Sequence, residues 1–136
     1  MKNAFLFGIW VNGGIGSFDG TPAEVANDNE VKAVVLDNTV TGTTGEGIHL
    51  EAGGSGEANV NAVLVRVRKN TVCHNSSGDI HAIGGLRGNP FLIDNTGAGN
   101  ILTGLIAHNT ATAVTVENGV AGNAALIRQF ENVPCP

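Results

Sequence analysis

Two histidines occupy one place in a repeating pattern. His49 follows Ile48 and His81 follows Ile80, and Trp10 follows Ile9 in the same setting. If the segments carrying them pair as neighbouring strands, Trp10, His49, His81 and Thr115 form an outward column with steps of about 4.8 Å. Two imidazoles at that spacing, with a carboxylate from Glu51 or Asp79, have the donor types of a transition-metal site. A zinc centre needs at least three well-placed protein ligands, however, so a solvated sheet face with no metal and no other cofactor is the expectation. An exposed aromatic beside imidazoles is also the make-up of a sugar-stacking surface. Trp10, His49, His81 and Glu51, with Arg87 at the root of an insertion, are therefore the candidate ligand-binding residues.

Other chemistries find less to work with. Arg66 and Arg68 point outward from one segment, with Asp37 and Lys69 in neighbouring equivalent positions, but no two carboxylates stack beside them. The aspartates, Asp19, Asp28, Asp37, Asp79 and Asp94, are scattered over different repeat positions, which does not suit paired-acid glycoside hydrolysis. Cys73-His74 sits in a turn and reads as a disulfide end rather than a nucleophile with its base. Gly13-Gly14-Ile15-Gly16 lacks the Lys-Ser/Thr of a phosphate loop. No catalytic residue is assigned. Seven basic residues against twelve acidic ones give a net charge of −5, which leaves no footprint for nucleic acid. The apolar run at 4–11 is too short to span a bilayer and has no convincing small-x-small cleavage site.

The elements that must position these residues come from the repeat. Asn38-Thr39-Val40 recurs as Asn70-Thr71-Val72 and as Asn109-Thr110-Ala111, and the first two copies lead to Ile48-His49 and Ile80-His81. Gly8-Ile9-Trp10-Val11-Asn12-Gly13-Gly14 is echoed at 47–54, at 79–85 and, more weakly, at 113–119. The stretch from Ala125 to Asn132 repeats the pattern of Val63 to Asn70. Each unit is too short and too rich in glycine to bury a face alone, so its apolar positions must stack on those of the next unit, as parallel strands. Period-two alternation turns Val31, Ala33, Val35, Val63, Val65, Val67, Leu102, Ile106, Ile48, Leu50, Ile80, Ala82, Val114 and Val116 inward. Asn38, Asn70, Asn109 and Asn132 then form a corner column whose amides bond to one another. The glycine pairs at strand ends are expected to supply the positive φ of sharp corners.

This pattern, Asn-Thr-Val, a polar turn, Gly-Glu-Gly-Ile-His-Leu and then Gly-Gly, resembles the coils of the right-handed parallel β-helix proteins of the pectate-lyase-like superfamily, from Gly8 to Asn132. The resemblance implies an all-β solenoid of about four to five coils, one domain over residues 1–136, and leaves function open, since the architecture serves polysaccharide lyases and hydrolases, adhesins and passive surface modules alike. A two-sheet sandwich of short strands is the structural alternative, although it gives the asparagine column no reason to exist.

Return segments differ in length through insertions at 15–30 and 86–99, which fall at the same place in the repeat and should emerge on one side. A core strand begins almost at the first residue, so the chain reads as the C-terminal part of a longer solenoid or as one whose open edge another copy covers. Val34, Leu36, Leu64, Leu105 and Leu126 are apolar at outward positions and are the candidate interface. Cys73 and Cys135 each lie three residues after a column asparagine. Strict stacking puts them about 9.6 Å apart, beyond disulfide reach, but the shortened turn after Asn109 lets the tail fold over, and a Cys73–Cys135 bridge in an oxidising compartment is predicted. The leading reading is a non-catalytic structural or binding module, extracellular or at the cell surface, that forms a homo-oligomer. A carbohydrate-active enzyme, or a remnant of one, with a polysaccharide partner is the alternative.

Overall fold

The computed structural model describes residues 6–16, 25–86 and 94–136. These residues form strands and turns, with no α-helix and hence no helix long and apolar enough to cross a membrane. In chain order the strands are β1 (Ile9–Asn12), β2 (Val25–Asn27), β3 (Glu30–Leu36), β4 (Thr39–Thr41), β5 (Ile48–Gly53), β6 (Glu57–Asn59) and β7 (Ala62–Arg68). They continue as β8 (Thr71–Cys73), β9 (Ile80–Gly85), β10 (Ile101–Ala107), β11 (Thr110–Ala111), β12 (Val114–Gly119) and β13 (Ala124–Phe130).

Every pairing is parallel, and strands one repeat apart are neighbours. One sheet runs β1-β5-β9-β12, a second β13-β10-β7-β3, a third β11-β8-β4 and a fourth β2-β6. The register follows the sequence repeat: Ile9, Ile48, Ile80 and Val114 align, as do Val31, Val63, Leu102 and Ala125. The inward positions form one apolar core, with Ile48, Leu50, Val65, Val67, Leu102 and Ile106 fully enclosed. Each such side chain contributes about 1.5–3 kcal/mol by leaving water. Valine, isoleucine and small residues suffice because the facing sheets close on one another without aromatic filler.

The predicted asparagine column is present, and a second runs beside it. Asn38 donates through backbone N and Nδ2 to Oδ1 of Asn70, Asn70 does the same to Asn109, and Asn109 to Asn132, at 2.9–3.1 Å. Asn29, Asn61, Asn100 and Asn123 repeat this arrangement at the other end of the β3-β7-β10-β13 sheet. The residue before each ladder asparagine has positive φ: Asp28, Val60, Gly99 and Gly122 before one set, Asp37, Lys69, His108 and Glu131 before the other. That left-handed residue turns the chain and aims the next amide along the stack.

The expectation that the glycine pairs make these corners is thereby corrected. None of Gly13, Gly14, Gly53, Gly54, Gly84 or Gly85 lies in the left-handed region. They are needed for close approach instead, since a Cβ on Gly53 would collide with the side-chain amides of Asn95 and Asn100, and one on Gly85 with that of Asn123. The insertions are also not simply loops, because β2 lies within 15–30 and pairs with β6, and Asn95 bridges to Gly56.

The disulfide between Cys73 and Cys135 is formed, with a Cα–Cα distance of 5.9 Å. Since β11 pairs with β8 only through Ala111, the layer that would separate the two cysteines is missing beyond that residue. The tail drops into the gap, held by Cys135 N donating to Thr112 Oγ1 and by the bridge between Thr110 and Val133.

Candidate functional site

The register sets Trp10 beside His49, His49 beside His81, and His81 beside Thr115, the column read from the sequence. The expectation that this column is a solvated face is corrected for its two histidines, whose side chains are 1% exposed at His49 and 17% at His81, while Thr115 at the end of the column is exposed. Every residue of β5 is buried, outward ones included. Phe7 stacks on the His49 ring at a centroid distance of 4.3 Å, and the His81 ring meets His49 edge-on at 5.3 Å.

Carboxylates surround these two rings. Glu51, fully buried, accepts hydrogen bonds on Oε1 from Trp10 Nε1 and Asn12 Nδ2, and its Oε2 lies 3.1 Å from His49 Nε2. Since a carboxylate accepts, His49 donates from Nε2 to Glu51, which leaves Nδ1 as its second ring nitrogen. That atom is buried, without a hydrogen-bond partner, and 3.7 Å from Glu46 Oε2. His81 is held likewise, with Nε2 2.7 Å from Glu117 Oε1 and Nδ1 3.2 Å from Glu46 Oε1.

Electrostatics follow from this packing. Burial alone would push the His81 imidazole down, but its bonds to Glu46 and Glu117, together with their charges, outweigh burial and hold it above the ordinary histidine value. Burial would likewise push Glu46 up, and the hydrogen bond from His81 with the charges of both histidines overcomes it, so that Glu46 titrates below a free glutamate. A recess of about 150 Å³ lined by Glu46, Ser77, Gly78, His81, Thr115 and Glu117 opens this cluster to solvent.

Of the carboxylates expected beside the histidines, Glu51 is present and Asp79 is not. Asp79 is turned to the corner, where it accepts from the backbone of Thr112 and Ala113 and from Asn75 Nδ2. Glu46, which joins the two imidazoles, was not singled out by the sequence reading; its signal was its position, three residues before His49 in the tight turn that enters β5. Arg87 lies outside the described residues.

The remaining candidates share the outer face of β3-β7-β10-β13. Val34, Leu36, Leu64 and Leu126 are exposed there, whereas Leu105 is only partly so, flanked in register by Arg66 and Arg128. Arg66 lies between Val34 and Leu105, and Arg68 between Leu36 and Ala107. No protein-family model matches the sequence, and neither a curated protein nor a solved structure matches it.

Proposed function

We propose that the stacked sheets are the walls of a right-handed parallel β-helix of the pectate-lyase-like kind, and that the chain is a non-catalytic structural or binding module, extracellular or at the cell surface, that self-associates through the outer face of β3-β7-β10-β13. The observation that carries this reading is the composition of that face. Val34 is 69% exposed, Leu126 64% and Phe130 55%, with Leu36, Leu64 and Ile101 beside them. Single exposed apolar residues mean little, but several on the outer side of one sheet, interleaved with cations, have the make-up of a contact surface.

Charge names the occupant. Lys32, Arg66, Arg68 and Arg128 stand among these apolar side chains against Glu30 alone, so the face carries +3 of a chain whose total is −5, and the remainder carries −8. A second copy that sets its own apolar side chains on this face and brings exposed carboxylates such as Asp28, Glu57 or Glu131 to the cations matches both components. The disulfide supports an oxidising location. The enzymatic alternative has less support, since among the described residues the register neighbours of Arg66 and Arg68 are all aliphatic.

Light scattering after size exclusion tests the proposal. A mass at least twice 13.8 kDa is expected at low salt, falling with salt, and Val34→Lys with Leu126→Lys should return it to monomer. A monomer for the unsubstituted chain at high protein concentration overturns self-association, and binding of that monomer to an acidic polysaccharide would assign the face to that partner instead.

A further inference from the structure

We propose that Glu46, His49 and His81 form a binding site for a divalent transition metal of the zinc class, with Glu51 and Glu117 as the carboxylates that orient the two imidazoles. A nitrogen of each imidazole and an oxygen of Glu46 lie within 4.8 Å of one another. Tetrahedral coordination at the usual bond lengths needs donors about 3.3 Å apart. His49 Nδ1 is 3.7 Å from Glu46 Oε2 and His81 Nδ1 3.2 Å from Glu46 Oε1, so the donors have to draw together only from a spread of 4.8 Å to hold one ion.

The independent sign of a ligand is His49 Nδ1. An imidazole nitrogen that is buried and unbonded loses its hydration with nothing in return, at a cost of about 1–3 kcal/mol. Here the cost follows from the way Glu51 holds the ring, since its carboxylate accepts a hydrogen bond from Nε2 and leaves Nδ1 on the side of Glu46, 3.7 Å from its Oε2. Glu117 does for His81 what Glu51 does for His49. Metal-bound histidines show this arrangement, one nitrogen on the metal and the other held by a carboxylate.

Three carboxylates around two imidazoles leave net negative charge in a mostly enclosed volume, which favours a dication. Two nitrogens and one carboxylate select zinc, nickel, copper or iron over calcium and magnesium, which require oxygen ligands. The three protein ligands leave a coordination position facing the recess beside Thr115, where a water or an anionic group would complete the shell. The cysteines are committed to the disulfide and do not compete.

The test is zinc binding by equilibrium dialysis and by cobalt(II) absorption on the full chain with its disulfide intact. One zinc per chain and the visible bands of four- or five-coordinate cobalt are expected. Glu46→Gln and His81→Ala should each weaken binding by at least about tenfold, while His108→Ala, in a separate corner, leaves it unchanged. Far-UV circular dichroism establishes that the variants fold. If either does not, imidazole NMR of the unsubstituted chain replaces it, with zinc expected to move the His49 and His81 signals and to spare His74 and His108. No retained zinc, retention undiminished in both folded variants, or shifts confined to His74 and His108 would each overturn the site.

Discussion

Replacing Asn70 by alanine removes a fully connected inner amide of its ladder. Its Oδ1 accepts from Asn38 N and Nδ2 at 2.9 and 3.0 Å, and its Nδ2 donates to Val35 O, Arg68 O and Asn109 Oδ1, each at 3.0 Å. Asn38 is half-buried and Arg68 exposed, so their freed groups recover water. Val35 O and Asn109 Oδ1 are enclosed; the second keeps Asn70 N at 3.0 Å, and the first loses its amide donor. One buried acceptor without this donor, one weakened, and a void of amide size together cost about 3 kcal/mol. For a domain of this length that lowers Tm by about 10 °C. Asn132, half-buried in the last layer, accepts only from Asn109 and donates to Ile106 O, so its alanine variant breaks fewer bonds and should lose about 2 kcal/mol. Asn70→Asp keeps the acceptor but turns an oxygen toward three others, and should fare worse than alanine at neutral pH. Urea unfolding followed by far-UV circular dichroism, with the m-value unchanged, gives the three differences. If Asn70→Ala costs less than Asn132→Ala, the ladder does not hold the stack together and the reasoning fails.

Three further outcomes follow from features already described. Reducing the Cys73–Cys135 bridge, whose sequence separation is 62, should lower stability by about 4 kcal/mol through the added freedom of the unfolded chain; equal urea midpoints with and without reductant would contradict this. Val60→Gly should gain about 0.5–1 kcal/mol, since a β-branched residue at φ 55° is strained and its exposed side chain gives up little burial; a lowered thermal midpoint refutes it. Gly53→Ala should cost about 1–3 kcal/mol by driving a methyl into the amides of Asn95 and Asn100, with the Asn100 side-chain amide signals broadened or shifted in NMR; a neutral result refutes the close-approach account.

Parallel stacking was legible because the same residue types return in the same order in each repeat, and a parallel register turns equivalent positions into spatial neighbours. The Asn38 column could be read for that reason. The Asn29 column carried the same signal, each member nine residues before its counterpart, but its flanking residues, Asp28, Val60, Gly99 and Gly122, are too unlike to draw the eye. What they share is a backbone conformation, and residue identity does not report it when Asp, Val, Lys, His and Glu all adopt it. The histidine pairing was legible from register, whereas its burial was not. Alternation assigns an outward face, but whether water reaches that face depends on how Phe7, Glu46 and Glu51 pack on the His49 ring, which alternation does not report.

Both ladders run one way. Each asparagine donates to the layer that follows it in sequence and accepts from the layer before, so every amide in the two columns points in the same direction. The two ends of the stack are consequently unlike: a layer added beyond Asn29 and Asn38 would have to bring donors, and one added beyond Asn123 and Asn132 would have to bring acceptors. A two-fold axis sets an end against itself and so matches like with like. Extending the ladders from molecule to molecule is possible only head to tail, a contact that repeats without closing and builds a filament. A closed dimer joined end to end would therefore leave both ladders unextended at the join.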